Sequence, residues 1–597
     1  MKNEVSLCMI VKNEEEYLTA CLESIKDIVD EIIIVDTGSE DKTVEIAQRF
    51  GAEVHYFRWN NNFSEARNES LKYASKDWIL IMDADDEFYI EDRKALKILL
   101  DSKLDENAVY YFETLSYCGD RIDDGNVTIN INPRLFKNNC GIHYEGEIHN
   151  QLVCTHNERN IICNSIKIHH YGYLDKRVVS QDKRNRNMTI LNEQIKKYPD
   201  CKFAYFNLGN EYAASGDMLK ALKCYYKAYE NFEPKRGFSS ILLIRIVYSN
   251  YRIGEYDDAL KFIDIGTGYF PECTDFYFIK AAIFKDMKKT VFQIRALQKC
   301  IECGEAPSQM KFLYGTGSFR AYYELGNAYA ELKDYTAAYN YYVEAMKSKS
   351  DFIAPVYSIC HILKEKNVPL DELKKTIESF FADCSKSYGV IADLFYNERY
   401  YETALEYVKK CEELGIADEN IMILKAKCLV RTGAFDECIS MNAISKENSS
   451  YLYFSMHKVI SGIMVHKYDY ALTVLNSFNE DNLSDYNKKI LKVYSELLKL
   501  FKGEPSGVLS EDENEKEYLN IILEICEILL INDKFDELKI AVNLLNLINN
   551  KYALLYLGKL YYKYGYMEIA KKEVLRSIKE FEIYDSGGLD ILKTVNN

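Results

Sequence analysis

The chain has 597 residues, 48% hydrophobic and 28% charged, with a formal net charge of −17. That length exceeds one hydrophobic core and predicts several domains, or a domain plus a repeat array. The acidic balance excludes a general nucleic-acid or anionic-membrane binder, the seventeen scattered cysteines read as a reduced, cytoplasmic protein, and no apolar run reaches the ~18 residues that span a bilayer.

Val5–Val11 reads as a buried strand, too short for a signal-peptide core. Glu14 to Lys26 is amphipathic, with Leu18, Cys21, Leu22 and Ile25 on one side, and predicts a helix. Glu31–Val35 is a second strand, followed by turn residues from Asp36 to Ser39 and a helix from Asp41 to Phe50. Gly51 stands where a helix-terminating glycine belongs. Glu53–Phe57 is a third strand, and Asn62 with Glu65 forms a capping box for a helix to Ala74. Asp77–Met82 is a fourth. Alternating strands and helices predict a parallel sheet with helices on both faces, whose ligands bind beyond the C-terminal strand ends. Asp36 and Asp83 each follow a strand directly, so two strands deliver carboxylates to one rim.

From about Ser180 strand signals give way to a helical repeat. Leu208-Gly209, Tyr212, Gly216, Ala221, Tyr225 and Ala228 form one unit. Leu325-Gly326, Tyr329, Ala337 and Tyr341 form another, and Leu557-Gly558, Tyr561, Gly565 and Ala570 a last one. Gly254 to Phe262 belongs to a further copy, and degenerate copies run through Tyr400 and Arg431. This is the spacing of tetratricopeptide repeats, whose period is ~34 residues. Small residues let paired helices approach, and tyrosines fill the gaps. Cys300 and Cys303 lack a second pair at zinc spacing and read as helix packing.

Asp83-Ala84-Asp85-Asp86 crowds carboxylates at the end of an apolar strand. Such groups repel unless a cation or proton intervenes. Aspartate oxygens suit Mg²⁺ or Mn²⁺, which can neutralise a leaving diphosphate. A solvated acidic loop capping the next helix is the plain alternative. Placement opposite a second strand-end aspartate favours the cation.

Four segments in order, Cys8 to Glu14, Asp36 to Thr43, Phe63 to Asn68 and Asp83 to Asp86, resemble the family 2 glycosyltransferases of GT-A fold. The resemblance extends to bacterial members with C-terminal tetratricopeptide repeats, of the sublancin S-glycosyltransferase and clostridial flagellin types. It implies an α/β GT-A domain with a Rossmann-like, mostly parallel sheet at 1–180, a helical linker at 181–200 and an all-α repeat solenoid at 201–597. Val11, Asn13 and Glu14 would lie beside the nucleotide base. Asp36 would contact uracil or ribose, with Thr37 shaping that turn. Arg67 would reach toward the diphosphate or hold the acidic motif. Asp83 and Ala84 would stand on the ribose side of the donor, and Asp85 would be the main metal ligand. His170, or else His149, would join the metal. Glu145 and Glu147 are candidates for the base, whereas His143 and His169 read as packing or surface residues. The resemblance implies a Glu where Asn150 stands, a departure that weakens the assignment of the base.

The implied reaction is inverting transfer from a UDP-sugar, N-acetylglucosamine by preference, with one carboxylate taking the acceptor's proton. Repeat arrays form grooves for extended peptides, which suggests Ser or Thr of a protein such as flagellin. The same array offers a surface for a homodimer. Peptide cysteine S-glycosylation and an envelope glycan are enzymatic alternatives. A binding scaffold with a degenerate transferase domain is the non-enzymatic one.

Overall fold

The structure is a computed structural model that describes residues 3–119, 127–155, 159–174, 183–381 and 383–594. The domain boundary expected at residue 180 lies outside the described residues. The chain divides into two compact units, Met1–Ile359 and Cys360–Asn597.

The first unit holds an eight-stranded sheet. β1 (Val5–Val11) lies between β2 (Glu31–Asp36) and β4 (Trp78–Ile81), and β3 (Glu53–Tyr56) lies outside β2, all parallel. The near-continuous apolar runs of β1, β2 and β4 suit strands covered on both faces, whereas β3 is a partly exposed edge. Val5, Leu7, Ile34, Leu80 and Met82 enter one core, and Cys8, Ile33, Ile79 and Ile81 enter another across the sheet. α1 (Leu18–Ile25), α2 (Thr43–Arg49), α3 (Phe63–Tyr73) and α4 (Ile90–Asp101) connect and cover these strands. α1 starts later than its periodicity suggests. The preceding turn is held by its own bonds, Glu14 N to Thr43 Oγ1 at 2.6 Å and Glu15 N to Asp41 Oδ2 at 3.1 Å. At α3 the capping box forms as the sequence predicts, Asn62 accepting from Glu65 N at 3.1 Å.

The sheet is not wholly parallel. β6 (Ala108–Gly119) and β7 (Val127–Lys137) form an antiparallel pair, and β7 is antiparallel to β4. β10 (Asn160–Leu174) runs parallel to β6 and carries two-residue β5 (Asp86–Glu87) on its outer side. A separate hairpin joins β8 (Ile142–Glu145) and β9 (Gln151–Cys154).

Helices then follow from α5 (Lys183–Lys197) through α6 (Lys202–Ala214), α7 (Met218–Tyr229), α8 (Ser239–Ile253), α9 (Tyr256–Tyr269), α10 (Thr274–Asp286), α11 (Thr290–Cys303), α12 (Phe319–Glu331) and α13 (Tyr335–Ser348). The repeat signature has a direct cause. A Cβ on Gly209 would sit 2.5 Å from the Tyr225 ring, and one on Gly326 would sit 2.4 Å from Tyr342. Each tyrosine then donates to the asparagine after its glycine, at 2.9 Å to Asn210 and 2.8 Å to Asn327. Cys300 packs in a core of this region, and no disulfide occurs among the described cysteines.

Between α11 and α12 a strap returns to the sheet. Phe312 O accepts from Ile129 N at 3.1 Å, and Leu313 bridges Thr128 in antiparallel sense. Asp275, at the start of α10, accepts from Phe312 N at 3.2 Å and Leu313 N at 2.8 Å. Burial pushes its carboxyl up to about 7, against the pull of those two N–H groups. A raised carboxyl pKa means the folded chain holds the proton more firmly, so this group's contribution to stability falls as pH rises from about 4 through about 7. Asp275→Asn is expected to flatten that fall, read as the difference between variant and wild type in urea midpoints across this window. Parallel pH profiles would show that Asp275 ionises without cost.

The second unit continues in helix pairs, among them Tyr401–Glu413 with Glu419–Arg431 and Ala553–Lys563 with Met567–Phe581. Arg431 Nη1 reaches Glu527 Oε2 at 3.0 Å, tying together helices that are far apart in sequence.

Candidate functional site

β1, β2 and β4 end side by side. Val11 pairs with Asp36 in register, and Asp83 follows β4 two residues beyond Ile81. The Asp36 carboxylate is 3% exposed and closes a turn by accepting from Gly38 N at 3.0 Å and Ser39 N at 3.1 Å. Thr37 Oγ1 donates to Val11 O at 3.1 Å. Asn13 takes a left-handed backbone (φ 54°), receives Glu40 N on its side chain at 2.8 Å and gives its own N–H to Ser39 Oγ at 3.0 Å. Val11, Asn13, Glu14, Asp36 and Thr37 thus form one interlocked rim.

The acidic motif is held by two arginines. Arg67, from α3, donates to Asp83 Oδ1 at 2.6 Å, and its guanidinium lies 5.5 Å from the Tyr144 ring centre. Arg134, from β7, is buried. Its Nη1 stands 2.9 Å from Asp86 Oδ2 and 3.7 Å from Asp83 Oδ2, and its Nη2 donates to Thr114 Oγ1 at 3.3 Å. Asp86 Oδ2 also accepts from Asp83 N at 2.9 Å, which folds the motif on itself. Burial pushes the Asp83 carboxyl up, but Arg67 and Arg134 outweigh it and hold it well below the usual carboxylate range. Ala84 is buried between these acids.

His170 completes the cluster from β10. Its Nδ1 lies 2.9 Å from Asp86 Oδ1 and 3.4 Å from Asp85 Oδ1. Burial alone would lower its pKa, yet the Asp85 and Asp86 carboxylates raise it to about 9. Ligand atoms of Asp83, Asp86 and His170 lie within 4.8 Å of one another, the only such group among the described residues. A Cβ added to Gly172 would fall 2.5 Å from His170 Nε2 and 2.7 Å from Asp85 Oδ2. Both atoms therefore face the space that this glycine leaves open. Carboxylate and imidazole donors around such a space fit a divalent cation; Asp85, the ligand expected from the sequence, faces that space with His170 but is outside the group of three formed by Asp83, Asp86 and His170. Gly172→Ala is expected to abolish Mn²⁺ binding in a spin-resonance titration of the free ion. Unchanged binding would put the cation elsewhere.

The β8–β9 hairpin is latched to α3. Asn68 and Tyr144 exchange two bonds, at 2.9 and 2.7 Å, and Ser64 Oγ donates to Gly146 O at 2.6 Å. Glu145 and Glu147 are exposed there, with Glu145 Oε1 3.1 Å from His143 Nε2. His149 is exposed, with a left-handed backbone (φ 49°), and is not part of the metal-fitting group. His169 points away from His170: it is buried, stacks on Tyr89 at 3.5 Å and bonds Tyr117 Oη at 2.8 Å. Asp86 enters the sequence reading only as a member of the acidic motif, and Arg134 and Gly172 carry no role of their own there. A basic residue inside the alternating stretch Ile131–Lys137, close in space to an acidic run, was the available signal for Arg134.

Residues 6–140 match the family described as Glycosyl transferase family 2. A TPR repeat-containing protein of Synechococcus elongatus is 31% identical over 265 residues, 43% of this chain and 64% of that protein. The SPbeta prophage-derived glycosyltransferase SunS of Bacillus subtilis is 28% identical over 292 residues, 47% of this chain and 67% of the relative. An uncharacterized glycosyltransferase of Rickettsia bellii is 32% identical over 111 residues, 19% of this chain and 37% of its own length. The chain thus spans about two thirds or less of the curated relatives it matches. Among solved structures, Staphylococcus aureus TarS 1–349 is 16% identical over 43% of this chain and 89% of its own, with a TM-score of 0.25.

Proposed function

We propose, from the premise that this chain carries a family 2 glycosyltransferase domain continued by tetratricopeptide-like helices, that it is an inverting, metal-dependent transferase acting from a UDP-sugar on a polypeptide. N-acetylglucosamine is the favoured sugar and Ser or Thr of a flagellin-like protein the favoured acceptor, by the resemblance described above. The observation that carries this reading is the gathering of Asp83, Asp85 and Asp86, just beyond β4, around His170 of β10, with Asp36 at the end of β2, in a family 2 domain.

In this reading the rim of Val11, Asn13, Glu14, Asp36 and Thr37 receives the nucleoside. Arg67 fixes Asp83, and Ala84 beside it, on the ribose side of the donor. Asp85 and His170 hold Mn²⁺ or Mg²⁺, which when bound supplies charge to offset that of a departing diphosphate. Arg134 pairs with Asp86 behind His170, and Asp86 in turn holds Nδ1, so the imidazole stays oriented. Glu145 or Glu147 takes the acceptor proton as attack proceeds from the opposite face of the sugar. Their exposure on a hairpin latched to α3 leaves them open to an incoming chain. The repeat helices present that chain, with a homodimer as an option of the same array.

A peptide cysteine is the second reading, supported by the 28% identity to SunS over 292 residues. The test is to incubate the full chain with Mn²⁺ and a panel of UDP-sugars, then read the intact mass of co-expressed flagellin and of Ser-, Thr- and Cys-bearing peptides. Added hexosamine mass on Ser or Thr supports the first reading, and on Cys alone the second. No release of UDP from any sugar nucleotide would leave the scaffold alternative standing. No helix among the described residues is long and apolar enough to cross a membrane.

A further inference from the structure

The strap between α11 and α12 pairs by its backbone with β7 and sets its side chains against one face of the sheet, while the acidic cluster occupies the other. Cross-strand partners share a face. Glu113, Leu115 and Tyr117 of β6 therefore side with Ile131, Ile129 and Val127 of β7, and Leu115 sides with His169 of β10. Thr114 and Ser116 lie on the reverse, with His170 paired to Ser116 and Arg134 bonded to Thr114.

The strap engages all three strands, through side chains on the first face and through its backbone along β7. Lys311 Nζ meets Glu113 Oε1 at 2.8 Å, with the two side chains 15% and 3% exposed. Phe312 O receives Ile129 N, and Leu313 bridges Thr128. Tyr314 packs against the cluster of Leu115, Tyr117, Ile129 and Tyr171, and Lys167 of β10 lies 5.5 Å from its ring centre. The repeat helices grip the strap from the other side. Asp275 holds the N–H groups of Phe312 and Leu313, and Arg245 of α8 lies 4.5 Å from the ring centre of the buried Phe312.

This stretch of sheet needs outside support. β10 is irregular on both sides of His170, between Asn164 and Lys167 and between His170 and Tyr173. Bulges interrupt ladder bonds and bend a strand. Beyond β10 stands only the two-residue β5, too short to hold it in line.

We propose that the strap is a positioning element of the catalytic site: residues 311–314, presented by the first repeats, clamp β6, β7 and β10 from behind, so that His170 and Arg134 keep their places on the opposite face. This rests on the transferase reading for what the site does, but not for the clamp. The repeats are thereby part of the machinery that handles the donor, beyond any role in presenting the acceptor. Lys311, Phe312 and Asp275 touch neither cation nor sugar and act through the strands.

The test uses the full chain and the variants Lys311→Glu, Glu113→Lys, their double exchange, and Phe312→Ala. Hydrogen exchange followed by mass spectrometry reads the backbone directly. We expect faster exchange in peptides covering 108–117, 127–137 and 166–172 for the single variants, with β1 to β4 unchanged, and recovery in the charge-exchanged double. For UDP-sugar hydrolysis with Mn²⁺, kcat/KM is expected to fall ~10- to 100-fold, as for groups that orient metal ligands. Affinity for UDP alone should stay level, because the Asp36 rim is untouched. Wild-type exchange over 166–172 in both Lys311→Glu and Phe312→Ala would overturn the proposal, as would a rise spread evenly through the sheet. A wild-type chain that neither binds UDP nor hydrolyses any UDP-sugar, while the strap variants still loosen β10, would count against the transferase reading and leave the clamp standing.

Discussion

Asp85→Ala is expected to lower UDP-sugar turnover by about 10²- to 10³-fold, the scale seen when one well-placed charge partner of a transition state is lost, while the chain stays folded. The geometry separates the two effects. The backbone carbonyl of Asp85, which accepts from Tyr171 N at 3.1 Å, survives the substitution. Asp86 still holds His170 Nδ1 at 2.9 Å. What disappears is the carboxylate facing the space over Gly172. Removing it also weakens the field that keeps His170 protonated in the metal-free site, so the imidazole's pKa should drop from its raised value of about 9. Steady-state hydrolysis against a Mn²⁺ titration, beside a thermal melt, reads both. Unchanged turnover would remove Asp85 from the site.

Arg134→Met should be the most damaging single change to stability around the cluster. Its partner Asp86 has no exposed side-chain surface, and Arg134 itself is 4% exposed. Breaking a buried pair by removing one member strands the other, at a cost of ~3–5 kcal/mol. Lysine should not rescue. The guanidinium serves Asp86 and Ile81 O through Nη1 and Thr114 through Nη2, a planar fork that an ammonium cannot reproduce. Replacing Asp86 by Asn in the same chain removes the stranded charge and should recover part of the loss, the signature of a coupled pair. Urea denaturation of the four chains measures this. Equal stability of Arg134→Lys and wild type would show that charge alone matters there.

The half of the sheet built on β1, β2 and β4 was legible because its strands are simple. Val5–Val11 and Glu31–Asp36 are apolar on both faces and end on turn chemistry, so pattern and structure agree within a residue. β6, β7 and β10 were harder. Thr114, Ser116, Asn130 and Asn132 interrupt the apolar alternation on the face that bears the chemistry. The run Ile129-Asn130-Ile131-Asn132 nonetheless has the period of a half-buried strand. Asp83 and Asp85 stood out because acids crowd at a strand end. Arg134 did not, since its meaning depends on contact with Asp86, far off in sequence. The strap lay furthest beyond reach, as Lys311 and Glu113 are separated by 198 positions. Repeat helices were legible from the spacing of glycines and tyrosines, but the ring that meets Gly326 is Tyr342, one position beyond the Tyr341 that the sequence pattern picks out, and Gly558 meets Val574 instead of a tyrosine.

Two consecutive histidines on β10 look out on different worlds, one on an aromatic stack and the other on acids. Alternation fixes which is which, so a single-codon insertion or deletion between Lys167 and His169 would exchange their surroundings and present the wrong ring to the carboxylates. Length variation at this spot should therefore be purged in a library of in-frame indels, even where substitutions at His169 by similar-sized aromatic residues survive.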